Sequence, residues 1–187
     1  MTSDRCAIGF RVHSGWAIAA IVAGTVGETT VLARRRVALA PSDAEEFVQP
    51  YHAASGLKLE DARKVIARAE RSAARFAMDG LRDLLSAASL EISGCAILTS
   101  KAKIPDDLES VLGSHALIHA AEGNLFREAI AQAATAYAFG VQRFLEHEVA
   151  THLPRMTVNP GPPWTKDEKL ASLAGLLALE QRAPALA

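Results

Sequence analysis

The sequence has little cysteine: Cys6 and Cys95 are its only two in 187 residues. Each sits inside an apolar, strand-like run. Buried thiols are therefore the plain expectation, against a disulfide framework or a cysteine metal site. An excess of one charge is also lacking. Twenty Lys and Arg stand against 21 Asp and Glu, a formal net charge of −1. That balance argues against a protein that coats nucleic acid electrostatically, while leaving room for a local basic patch. No apolar run approaches the roughly 20 residues of a membrane helix, so no membrane partner is expected. The opening Met1-Thr2-Ser3-Asp4-Arg5 precedes no uninterrupted apolar core, because Arg11 and His13 break the stretch that follows. A cytoplasmic protein is the expectation. Neither a P-loop nor a G-x-G-x-x-G is present, which removes the usual nucleotide-cofactor fingerprints, and no internal repeat is visible.

What is present is a chain 50% hydrophobic and 22% charged. That is the composition of a globular protein, with a length that suits one domain, 1–187, better than two. "RCAIGFRV", "GWAIAAIVAG" and "TTVLARRRVAL" read as three strands with no helix between them, hence an antiparallel meander. Residues 40–56 carry a capping signal at Ser42 among prolines and read as a short helical turn in a connector. A long amphipathic helix is predicted over about 58–88. Its apolar face is Leu59, Ala62, Ile66, Ala69, Ala73, Phe76, Leu81 and Leu84, with Arg63, Lys64, Arg68, Arg71 and Arg75 largely off it. "EISGCAILTS", 91–100, is a fourth strand. Pro105-Asp106-Asp107 starts a helical piece that Gly113 and Gly123 should break, and "NLFREAIAQAATAYAF" forms the main second helix. "VQRFLEHEV", 141–149, is predicted as the last strand, and "NPGPPW", 159–164, as a rigid non-helical connector. The closing helix, "TKDEKLASLAGLLALEQR", has Thr165 as N-cap and Glu168 three residues on, with Leu170, Leu173, Leu176 and Leu177 as its buried face. The order β-β-β-α-β-α-β-α implies α/β architecture: a mixed five-stranded sheet, a three-strand meander plus two parallel strands joined by right-handed crossovers and flanked by helices.

This order resembles the ribonuclease H-like fold, and in size the RuvC-type Holliday-junction resolvases within it. Ile8-Gly9-Phe10 is similar to the apolar-Gly-apolar end of the family's first strand. Arg11 stands at the aspartate position that follows there. "KDEKLASLAGLLAL" is similar to the family's final helix, with Asp167 in the place of its aspartate and Glu168 as the alternative register. The resemblance implies a glutamate at the end of the fourth strand, where this chain has Leu98-Thr99-Ser100. Two of three carboxylate positions are thus unfilled. Two-metal phosphodiester hydrolysis needs convergent carboxylates around cations about 4 Å apart. An arginine at their centre would repel those cations and suit a phosphate.

Two constellations remain. Arg11, His13 and Ser14 fall near the carboxyl end of the first strand, where α/β proteins build sites. An arginine there needs a partner, and Asp167 is the candidate, although a corner that merely shapes the hairpin explains the residues equally well. His115, His119 and Glu122, at i, i+4 and i+7, share one face of a continuous helix and could hold a transition metal. In the plainer reading His115 continues a cap after Ser114, and Glu122 pairs with Arg127 or caps a helix beginning near Asn124. Arg34 and Arg36 share a strand face that could meet a phosphate backbone, while solvent-facing edge protection is the plainer role. The connectors Pro50-Tyr51-His52 and Pro162-Pro163-Trp164 could stack on a base or simply pack.

Three readings follow. The first is a catalytically degenerate protein binding an anionic ligand, a nucleotide or nucleic acid, at Arg11, His13, Ser14 and Asp167. The second is a divalent-metal-dependent hydrolase using His115, His119, Glu122 and Asp167, in which Asp167 and Glu122 are the catalytic candidates. The third is an interaction protein whose alanine-rich helices form a homodimer.

Overall fold

A computed structural model describes residues 5–86 and 90–182. Three strands, β1 (Cys6–His13), β2 (Trp16–Gly24) and β3 (Thr29–Ala38), form the antiparallel meander. The Ser14-Gly15 corner turns β1 into β2 with Gly15 at φ 77°, a left-handed conformation that glycine adopts without strain. β4 (Ile92–Thr99) and β5 (Val141–Leu145) add parallel strands on the other side of β1. The sheet order is β3-β2-β1-β4-β5, the expected mixed five-stranded sheet.

The connector after β3 holds two short helices, α1 (Glu45–Val48) and α2 (Pro50–Ala54), rather than one turn. The long helix is α3 (Leu59–Ser86); positions 87 and 88 of the expected span lie outside the described residues. Ala62, Ile66, Ala69, Ala73, Leu81 and Leu84 are buried as the periodicity requires, and the five basic residues lie exposed. Two expected face residues differ: Leu59 is exposed, and Phe76 is half-buried beside a fully buried Ala77. α4 (Leu108–Leu112) starts on Asp107, whose carboxylate accepts the Ser110 N–H at 2.8 Å. α5 (His115–Ala136) runs without interruption through Gly123. The expected break fails because that helix is held from outside: Leu125, Phe126, Ala129, Ile130 and Ala133 bury it in the core, which outweighs one glycine's propensity cost of about 1 kcal/mol. The predicted strand over 141–149 is half strand and half helix. β5 stops at Leu145, and α6 (Glu146–Ala150) begins with two acidic residues in its first turn.

Alternation along the strands gives two cores. Ile8, Phe10, Ala19, Ile21, Cys95 and Ile97 face α3 and α5, while Ala7, Ala20, Val22, Ala96 and Leu98 face α7 (Lys166–Arg182). Ala62, Ala69, Ala73 and Ala77 of α3 and Ala129, Ala131, Ala133 and Ala134 of α5 are buried in the first core, while Ala67, Ala74 and Ala120 are half-buried and Ala116 and Ala136 exposed. Leu170, Leu173 and Leu176 are fully buried, and Leu177 is half-buried at the margin. The glutamate arm of the predicted capping box forms, Glu168 Oε2 accepting from Thr165 N–H at 2.5 Å, while the Thr165 hydroxyl donates to the same oxygen at 2.6 Å. α7 lies close enough to β1 that a Cβ on Gly9 would sit 1.8 Å from the Ala171 carbonyl oxygen. Only glycine permits that approach.

Candidate functional site

The contact between Gly9 and Ala171 sets the register of the site. Two residues further along β1, about 6.6 Å, is Arg11. One turn back along α7, about 6 Å, is Asp167. The two side chains meet, Arg11 Nη1 donating to Asp167 Oδ1 at 2.6 Å. Arg11 Nη2 donates to Glu146 Oε1 at 3.1 Å, so one guanidinium bridges two carboxylates. His13 Nε2 lies 2.9 Å from Asp167 Oδ2 and 2.6 Å from Arg11 Nη1, and it can serve one of them at a time, as donor or as acceptor. The predicted Arg11–Asp167 pair exists in the structure. Glu146 was missed, having been read as strand tail; two acidic residues, Glu146 and Glu148, just past Phe144-Leu145 are the helix-start signal that marks it.

Divalent cations do not fit between these carboxylates. A guanidinium holds both, and its charge repels a cation at that place. An anion fits the cluster no better, since two carboxylates, Asp167 and Glu146, already face the one guanidinium. The neighbouring surface differs. His13 stacks on Trp16 at 4.1 Å between centroids, with planes 9° apart. Arg36, from the edge strand, lies over the Trp16 ring at 4.0 Å. A pocket of about 530 Å³ opens there, lined by Ser14, Trp16, Arg36, Ser42 and Val48 among others. Ser14 thus faces this pocket rather than joining the ion-pair cluster. Among the described residues no carboxylate pairs with Arg34, Arg35 or Arg36. Arg34 is held by the carbonyls of Pro160, Gly161 and Pro163 and lies over Trp164, so it anchors the proline-rich connector.

The other predicted cluster sits on the opposite face of the sheet. His115 and His119 start α5 one turn apart, with ring centroids 4.4 Å apart. Glu122, one turn on, points inward and is 1% exposed. It pairs with neither Arg127 nor a helix cap as the plainer reading had it. Its Oε1 accepts from the backbone N–H of His52 at 3.1 Å and from His52 Nδ1 at 2.9 Å. Arg127 turns away and donates Nε–H to the Leu98 carbonyl at 3.0 Å. Burial and the negative charges of Glu70 and Glu122 push the neighbouring Tyr51 phenol above its ordinary pKa. Asp167 is not part of this group: α5 and α7 pack on opposite sheet faces, so the four-residue hydrolase site does not assemble.

No family model and no curated protein sequence matches the chain. Solved structures do. Thermus thermophilus RuvC in complex with a Holliday junction substrate superposes with a TM-score of 0.53 over 92% of this chain and 90% of that one, at 12% identity. A second Thermus thermophilus RuvC structure gives 0.50 over 91% of each chain, at 10% identity. At such identities the likeness is one of architecture, and the architecture is RuvC-like and ribonuclease H-like.

Proposed function

We propose that this chain binds the phosphate backbone of nucleic acid, at the strand ends on the α7 side of the sheet, and does not cut it by a two-metal mechanism. The carrying observation is the Arg11 guanidinium bridging Asp167 and Glu146. Convergent carboxylates are what a two-metal site requires, and here they neutralise an arginine instead. Arg36, on edge strand β3, lies over the Trp16 ring, shares a pocket with the Ser14 and Ser42 hydroxyls, and has no carboxylate partner among the described residues. A guanidinium on an indole with hydroxyls at hand can hold a phosphate and stack against a base. Arg11, His13 and Asp167 then form the rigid floor, and Ser14 and Arg36 meet the anion. The RuvC structure with a junction supports nucleic acid over a free nucleotide as the ligand.

Fluorescence anisotropy with a labelled four-way junction, a duplex and a single strand tests this. Binding should weaken as salt rises, and Arg36→Ala should reduce the slope of log K against log salt by about 1. Absence of binding to all three at micromolar protein and 50 mM salt, or binding indifferent to Arg36→Ala, would refute it.

A further inference from the structure

The histidine cluster carries a second site, independent of the reading of Arg11. His52 from α2 and His115 and His119 from α5 each offer one ring nitrogen, and the three nitrogens lie within 4.8 Å of one another. Centroid separations of 5.4, 4.7 and 4.4 Å, with rings steeply inclined, bring edges together rather than faces. Packing does not demand this arrangement, because His115 and His119 are exposed. The observation that points to a ligand is Glu122. A carboxylate 1% exposed is costly to bury, and it is held by the Nδ1 and backbone N–H of His52. A carboxylate on Nδ1 fixes the tautomer, turns the ring and leaves Nε2 as a basic lone pair, which is how metal-binding histidines are supported.

We propose that His52, His115 and His119 bind one late first-row divalent ion, Zn²⁺ first among them, with Glu122 orienting His52 and a fourth position open to water. Three imidazoles and no carboxylate in contact with the ion favour Zn²⁺, Co²⁺, Ni²⁺ or Cu²⁺ over Mg²⁺. The ion would tie α2 to the first turns of α5, closing the connector between β3 and α3 onto the helical layer. Sequence spacing held two ligands and the orienting carboxylate; His52 lies 63 residues before His115 and only folding reveals it.

The test is titration of Zn²⁺ into metal-stripped, tag-free protein by calorimetry, with the Co²⁺ visible spectrum as a second readout. One equivalent is expected, with Co²⁺ bands of four-coordinate geometry. His115→Ala and His52→Ala should each lower affinity at least 100-fold, and Glu122→Gln about 10- to 100-fold. His147→Ala, an exposed histidine outside the cluster, should change nothing. Because Glu122 is buried, its variant could fail to fold; His115→Ala changes an exposed residue and keeps the test decisive. No stoichiometric binding, or binding that survives both His115→Ala and His52→Ala, overturns the proposal.

Discussion

Replacing Arg11 by methionine keeps most of the side chain's volume and stem packing while removing the charge. Arg11, Asp167 and Glu146 retain 18%, 25% and 38% of their side-chain exposure. Breaking a fully buried pair costs about 3–5 kcal/mol, while a fully exposed one is worth about 0–1. The intermediate exposures place the loss near 3 kcal/mol, with the two carboxylates left facing each other. One term opposes this: Arg11 Nε is buried without a partner, and deleting it returns about 1 kcal/mol. The net expectation is about 2 kcal/mol of destabilisation, or a Tm lower by about 4–8 °C for a chain of this length. Urea unfolding followed by circular dichroism measures it, with the slope m unchanged. Asp167→Asn alone should also destabilise, and the double variant should lose less than the sum by about 1 kcal/mol. A loss under about 0.5 kcal/mol for Arg11→Met, or strict additivity, would refute the view that this cluster is a coupled bridge.

Gly9→Ala should be severe, about 3 kcal/mol or more, because the new Cβ would lie 1.8 Å from the Ala171 oxygen and 2.6 Å from the Gly175 nitrogen. The same unfolding assay checks it, and a loss below about 1 kcal/mol would contradict the close packing of α7 on β1. Burial pushes the Cys95 thiol up to about 12 from its ordinary 9. Cys95 should therefore stay unreacted with an aromatic disulfide reagent at pH 8 in the native protein, and react fully in denaturant. A raised folded pKa also means that native stability falls as pH climbs above 9 towards 12; a rise across that window would contradict it.

The sheet was legible because its determinants are local. Strands 6–13, 16–24 and 29–38 follow one another with turn residues between, which leaves an antiparallel meander as the simple arrangement. The Thr165–Glu168 capping box marked the start of α7, and an arginine following three apolar residues in β1 demanded a distant carboxylate. What escaped was decided at long range. Gly123 sits in a helix that the core holds together, so its local preference was overruled. Glu146 was lost because "VQRFLEHEV" is short enough for strand and helix periodicities to overlap. His52 had no spacing relation to His115 and His119, and Glu122's partner could be named only once α2 lay across α5. Arg34 and Arg36 do share a face, yet only the placement of Trp16 and Trp164 separates the arginine that anchors a connector from the one at a pocket.

The most direct test of the central claim is to incubate the protein with an end-labelled four-way junction in Mg²⁺ and Mn²⁺, resolving bound complex on native gels and strand scission on denaturing gels. The account predicts a shifted complex and intact strands at every metal concentration. Metal-dependent nicking by the wild-type chain, lost in Asp167→Asn, would contradict it and make Asp167 a metal ligand after all.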